Sequence, residues 1–116
     1  MDNEFVDKLK KKMDEYAHLV YGATRNFPRE ELYGATSQLR RSSLSVILNF
    51  IEGFARQRKA VKKNFWEISY GSLKESKYLL HFSLVEKFLS LTNYKKALSL
   101  AEEIGAMLWK CIQSLK

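Results

Sequence analysis

Little in this sequence would interrupt or crosslink the chain. One proline and five glycines in 116 residues leave no long linker, and a hydrophobic fraction of 46% excludes a wholly disordered chain. The single cysteine, Cys111, cannot form an intrachain disulfide, and between Leu108 and Ile112 it is expected to be a small buried hydrophobe. No apolar run approaches the roughly 20 residues needed to cross a bilayer. We therefore expect a single domain over residues 1–116.

Acidic residues are outnumbered by basic ones. Thirteen of them stand against twenty lysines and arginines, giving a formal net charge of +7. This balance permits nucleic acid or an acidic protein surface as a partner. The start of the chain, residues 1–4, lacks the basic and then apolar pattern of a secretory signal. Together with the lone cysteine, this predicts a cytoplasmic protein without a membrane partner.

Apolar residues recur every three or four positions in four stretches, which is typical of amphipathic helices. The predicted helices span about residues 4–25, 29–57, 60–90 and 94–115. Pro28 suits the first turn of the second helix, where Glu30 and Glu31 would face the positive end of the dipole. Four helices with short connections predict an all-α, antiparallel up-down-up-down four-helix bundle. Its lysine-rich first helix would then begin beside the turn that follows helix two.

A narrow polar stripe runs along the otherwise apolar second helix. Its members are spaced by three and four residues and so share one face: Gln38, Ser42, Ser45, Asn49, Glu52 and Arg56. We interpret this stripe as a structural hydrogen-bonded seam with Ser72 and Glu75, because buried polar groups usually have internal partners. A functional groove or a plain solvated stripe are the alternatives. Glu52 and Glu75 could pair as catalytic carboxylates, but no other part of such a site is evident.

Apolar residues occupy nearly all of the remaining circumference of the second helix. An ordinary surface helix confines them to one stripe, so this helix needs cover on more than one side. We therefore expect an oligomer contact through this part of the helix. Its predicted members are Ile47, Leu48, Phe50 and Ile51.

Residues 56–63 contain five basic side chains and no carboxylate. These are Arg56, Arg58, Lys59, Lys62 and Lys63. The three lysines fall at the start of the predicted third helix, where each cation opposes the helix dipole at up to about 1 kcal/mol. Since packing alone does not explain that cost, the cluster is expected to contact phosphates of nucleic acid, RNA over DNA, with Arg40 and Arg41 as weaker candidates. A solvated turn is the alternative.

Motifs for chemistry are incomplete. Glu15 and His18 match half of the paired motif that ferritin-like bundles use for two metal ions, but Tyr78 stands three residues before His81 where a second glutamate would be needed. The sequence therefore predicts no enzyme, no cofactor and no metal site.

The third helix also carries aromatic residues that could stack on bases, although at helical spacing we expect them in the core or an interface. They are Trp66, Tyr70 and Tyr78.

Two separate motifs, in the same order along the chain, resemble one protein family. The first is Phe27–Arg41 followed by Ser45, Asn49, Glu52-Gly53-Phe54 and Arg56, and the second is Gly71-Ser72-Leu73 with Glu75. They resemble the bacterial four-helix-bundle family of 23S rRNA intervening-sequence proteins. The resemblance implies an antiparallel bundle, commonly a cyclic homopentamer. It also implies kinship to the accessory variability determinant of diversity-generating retroelements, which binds nucleic acid and a reverse transcriptase through a basic surface.

The chain departs from that pattern in the second helix. Large apolar residues around Asn49 replace the proline and small residues that the family often has. A straighter helix and altered packing are expected there.

The leading hypothesis is a non-enzymatic, homo-oligomeric bundle that binds structured RNA, as an accessory to a protein such as a reverse transcriptase. A protein-interaction scaffold without nucleic-acid binding is the alternative.

Overall fold

The computed structural model describes residues 2–116, and within that range it contains four α-helices and no strand. The helices are α1 (Asn3–Thr24), α2 (Ser37–Phe54), α3 (Lys59–Val85) and α4 (Leu91–Gln113). A 3₁₀ turn (Arg29–Glu31) and a π turn (Leu32–Thr36) precede α2. The prediction of an all-α chain with four helices is confirmed.

Successive helices run in opposite directions, as contacts along them show. Ser45 and Ser72 share a hydrogen bond of 2.7 Å between their hydroxyls. At the next residue of α2, the Val46 carbonyl accepts from Ser69 at 2.6 Å, and Ser69 lies about one turn before Ser72 on α3. Between α3 and α4, Lys77 pairs with Glu102 at 2.9 Å. Lys12 of α1 pairs with Glu103 of α4 at 2.5 Å, so the first and last helices also contact each other. This arrangement is consistent with an antiparallel four-helix bundle.

The core face of α3 repeats every seven residues. Large side chains alternate with serines, and all six are buried: Trp66, Ser69, Leu73, Ser76, Leu80 and Ser83. A seven-residue repeat keeps one seam facing its neighbours, as in coiled coils. The small serines leave room for α2 to approach closely. Ser69 and Ser76 donate to backbone carbonyls, whereas the hydroxyl of Ser83 has no hydrogen-bond partner among the described residues.

Replacing Ser83 with alanine should raise the free energy of unfolding by about 1 kcal/mol, because a buried hydroxyl without a partner is desolvated without compensation. The matched change Ser69→Ala should lower it by about 1 kcal/mol, since it removes a made hydrogen bond. Urea unfolding at one fixed protein concentration measures both. A Ser83→Ala protein less stable than the parent would contradict this account.

The second helix begins later than expected. The prediction of a start at residue 29 is wrong, because Gly34 has non-helical angles (φ −113°, ψ −114°) and interrupts the chain before Ser37. The carboxylate of Glu31 accepts from the amide of Ala35 at 3.1 Å, so it acts as a local cap. Pro28 accordingly precedes the 3₁₀ turn. The helix also ends at Phe54, earlier than the predicted residue 57.

The boundary between α3 and α4 also differs from the prediction. Lys87 adopts φ 67°, and the amides of Lys87 and Phe88 bond to the carbonyls of Leu84 and Ser83. This left-handed turn ends α3 at Val85. The side chain of Ser90 then accepts from the amide of Asn93 at 3.1 Å, so α4 begins at Leu91, not near 94.

Candidate nucleic-acid interface

Basic side chains from different helices meet at one end of the bundle. The ring of Phe54, at the end of α2, has two ammonium groups over it. Lys10 of α1 lies 5.5 Å from the ring centroid, and Lys62 of α3 lies 5.4 Å from it. The fold therefore brings Lys10 of α1 close to the start of α3 and adds positive charge there.

Two members of the predicted cluster already have partners. Lys62 also lies over Trp66 at 5.6 Å, and Arg56 is ion-paired with Glu52 and sits 5.2 Å from the Phe65 ring. Cations over aromatic rings gain about 0.5–1 kcal/mol or more. For Lys62, the attraction to the two rings offsets much of the cost of placing a cation at the start of a helix. The prediction that packing does not explain this cost is therefore wrong for Lys62.

The other three members are free in the described chain. Arg58 and Lys59 are exposed, Lys63 is half-buried, and none of them makes an ion pair within residues 2–116. The first turn of α3 has no acidic residue, and Arg58 precedes it without a side-chain cap. Arg56, Gln57, Arg58 and Val61 line a shallow concavity of about 350 Å³. Positive charge is thus presented to solvent at a helix start that favours anions.

Arg40 and Arg41 do not join this cluster. Fifteen or more residues of chain, almost all helical, separate them from Arg56, which corresponds to more than about 20 Å. Arg40 donates to the Thr24 hydroxyl at 2.9 Å and stacks over Tyr21 at 4.7 Å, so it ties α1 to α2. Arg41 is exposed beside the polar seam.

Most of the polar seam comes together between α2 and α3. A cavity of about 470 Å³ is lined by Gln38, Arg41, Ser42, Ser45, Ser72 and Glu75. Asn49 donates to the carbonyl and hydroxyl of Ser45 at 2.9 and 2.8 Å, and Ser45 bonds to Ser72. Glu52 turns to Arg56 instead. These internal bonds favour the structural interpretation of the seam.

The residues predicted for an oligomer contact divide into two groups. Leu48 and Ile51 are 58% and 47% exposed, and Ile47 packs at the edge of the core. Phe50 was assigned wrongly: it is fully buried in its own protomer and stacks on Trp66 with ring centroids 5.2 Å apart. The α2–α3 crossing covers that side of α2, so Phe50 belongs to the core.

Groups that could do chemistry are isolated or buried. His18 is exposed and lies 3.4 Å from Asp14, and no cluster of three metal-ligating side chains occurs in residues 2–116. Burial raises the pKa of the Cys111 thiol. Burial also raises the pKa of Tyr16 to about 12, although its 2.7 Å hydrogen bond with Ser76 acts in the opposite direction. No helix in the described chain is long and apolar enough to span a bilayer.

A pocket between α3 and α4 was missed from the sequence. Its volume is about 330 Å³, and it is lined by Tyr70, Leu73, Lys74, Lys77, Glu102, Gly105, Ala106 and Trp109. Trp109 is 50% exposed, with its ring 5.6 Å from that of Tyr70. Of the aromatics considered from the sequence, Trp66 is buried and Tyr78 is exposed. Trp109 follows Leu108 directly and so falls off the apolar stripe of α4, a signal that could have revealed its exposure.

Comparisons with known proteins agree with this architecture. A crystal structure of a protein of unknown function from the S23 ribosomal protein family of Bacteroides thetaiotaomicron is similar, with a TM-score of 0.80 and 22% sequence identity. The similarity covers 90% of this chain and 97% of that one, and it concerns the fold alone. No curated protein matches the chain. The model of the 23S rRNA-intervening sequence protein family matches residues 7–110, so the chain belongs to that family.

Proposed function

We propose that this protein is a cytoplasmic, non-enzymatic, homo-oligomeric helical bundle that binds structured RNA through its basic end. The observation that carries the proposal is the trio Arg58, Lys59 and Lys63, which lies without ion pairs at the uncapped start of α3. Phosphates are the ligand that suits both the positive charges and the helix terminus. The name of the family, which refers to 23S rRNA, favours RNA over DNA as the nucleic acid. A protein partner such as a reverse transcriptase enters the proposal through the family resemblance alone.

Exposed apolar residues support self-association. Leu48 and Ile51 lie one turn apart on α2, and Phe54 and Ile68 are 43% and 45% exposed. Apolar residues grouped on a surface commonly mark an interface. A ring of protomers, with a pentamer as the expected form, would repeat the basic end several times. Linked weak contacts of this kind raise avidity without new chemistry.

Reversing the charge of the trio tests the RNA proposal. The variant Arg58→Glu/Lys59→Glu/Lys63→Glu should lose most RNA affinity, and the slope of log K against log salt should become shallower by about 2–3 for each protomer in contact. Lys62 is left intact because its ammonium group already lies over the rings of Phe54 and Trp66. Fluorescence anisotropy with a labelled stem-loop RNA over a salt series measures both quantities.

A matched control separates local contact from bulk charge. The variant Lys87→Glu/Lys95→Glu/Lys96→Glu alters three exposed lysines at the other end of the bundle and changes the net charge equally. It should bind RNA much as the parent does. If both variants lose affinity alike, the basic end is not the contact surface. If the parent binds no RNA at low salt, the alternative of a protein-interaction scaffold replaces the proposal.

A further inference from the structure

We infer that the pocket between α3 and α4 holds one unpaired nucleotide of the bound RNA, with its base against Trp109 and its phosphate beside Lys74. The inference rests on the proposed function and deepens it, because it gives the protein a preference for RNA with an unpaired segment. A phosphate-binding end alone would have no such preference.

The pocket has an aromatic wall that is open to solvent. Tyr70 meets Trp109 at an interplanar angle of 49°, so the two rings do not cover each other as a stacked pair would. Gly105 contributes no side chain to the floor, where a Cβ would lie 3.5 Å from Leu73. An exposed indole beside a glycine floor suits a planar group, and bases stack on aromatic side chains at about 1–3 kcal/mol each.

The pocket also carries positive charge. Lys74 lies 5.3 Å from the Tyr70 ring and makes no ion pair within the described residues, whereas Lys77 is paired with Glu102. The hydrogen bond from Lys77 holds the pKa of the Glu102 carboxyl below its usual value, so this carboxyl is ionised at neutral pH. Two cations against one anion leave Lys74 available for a phosphate. A nucleotide suits both features of the pocket, because its base can stack on Trp109 and its phosphate can contact Lys74.

One face of α3 connects the pocket to the basic end. Positions 63, 67, 70, 74 and 77 are spaced by three and four residues and form a single stripe, which contains one carboxylate, Glu67. Lys63 of the basic end and Tyr70 of the pocket are two turns apart, about 10 Å along the axis. A strand whose phosphates contact the basic end therefore reaches the pocket within a few nucleotides. Positive grooves with stacking aromatics are the usual form of single-strand binding surfaces.

The test compares a stem-loop RNA that has an unpaired loop with a fully paired duplex of equal nucleotide number. The parent should bind the stem-loop at least about fivefold more tightly, and Trp109→Ala should abolish that difference while leaving duplex affinity unchanged. Trp109→Phe, which keeps an aromatic face, should retain part of it. Because Trp66 is buried, quenching of tryptophan fluorescence by the stem-loop reports on Trp109.

Two further variants keep the result interpretable. Lys74→Glu leaves the indole in place and should also abolish the preference for the stem-loop over the duplex. It therefore tests the inference even if Trp109→Ala does not fold. Tyr33→Ala removes a 91% exposed aromatic outside the pocket and should change nothing. Equal parental affinity for stem-loop and duplex, or a loop preference that survives Trp109→Ala and Lys74→Glu, would overturn the inference and leave the proposed function standing. Absence of all RNA binding by the parent would overturn both.

Discussion

Replacing Gly53 with alanine should lower the free energy of unfolding by about 2–3 kcal/mol, a large change for a methyl group in a helix. A Cβ at this position would lie 2.6 Å from Cδ1 of Trp66 and 3.0 Å from the backbone oxygen of Lys62. Neither neighbour can retreat easily. Trp66 is 4% exposed, stacks on Phe50 and donates its indole N–H to the Phe50 carbonyl at 3.1 Å.

The same change elsewhere should have the opposite sign. Gly71 is an exposed position inside α3, where a Cβ would meet nothing within 4 Å. Gly71→Ala should raise the free energy of unfolding by about 0.5–1 kcal/mol, because alanine loses less backbone entropy in a helix. Urea unfolding at one protein concentration compares the two variants with the parent. Similar effects at both positions would refute the close approach of α2 and α3.

The helical class of the fold was predictable because it depends on periodicity, whereas the helix ends depend on single contacts. Apolar residues at three- and four-residue spacing defined four helices. The late start of α2 instead follows from the Glu31 carboxylate bonding to Ala35, and the early end of α3 follows from Lys87 in a left-handed conformation. Lysine has no special preference for that conformation, so no residue type marked the turn.

The candidate interface was predictable as a region but not residue by residue. A run without carboxylates identified the basic end, yet charge in a sequence does not show which cations already have partners. Phe54, Phe65 and Trp66 engage Lys62 and Arg56 through ring faces, and this leaves Arg58, Lys59 and Lys63 free. The α3–α4 pocket requires two helices to be placed side by side, which a pattern within one helix cannot reveal.

Phe50→Ala should be the most damaging of the substitutions considered for α2, with a loss of about 3–5 kcal/mol in the free energy of unfolding. The ring is fully buried, and removing it leaves a cavity beside Trp66 that the closely packed α2 and α3 backbones cannot close. The Trp66 indole would also lose its stacking partner, although its hydrogen bond to the backbone carbonyl of residue 50 remains available. Thermal unfolding at several protein concentrations measures this loss within the protomer.

Leu48→Ala/Ile51→Ala is the matched test of the surface that faces away from that core. Both side chains are about half exposed in the protomer, so their truncation should cost the protomer little, on the order of 1 kcal/mol. If the exposed stripe joins protomers, native mass spectrometry should show the double variant shifting to smaller species at concentrations where the parent is assembled, and its unfolding transition should depend less steeply on protein concentration than that of the parent. An unchanged mass distribution would move the contact to another face of the bundle. A loss of folding as severe as that of Phe50→Ala would instead mean that these leucine and isoleucine side chains are needed by the protomer itself.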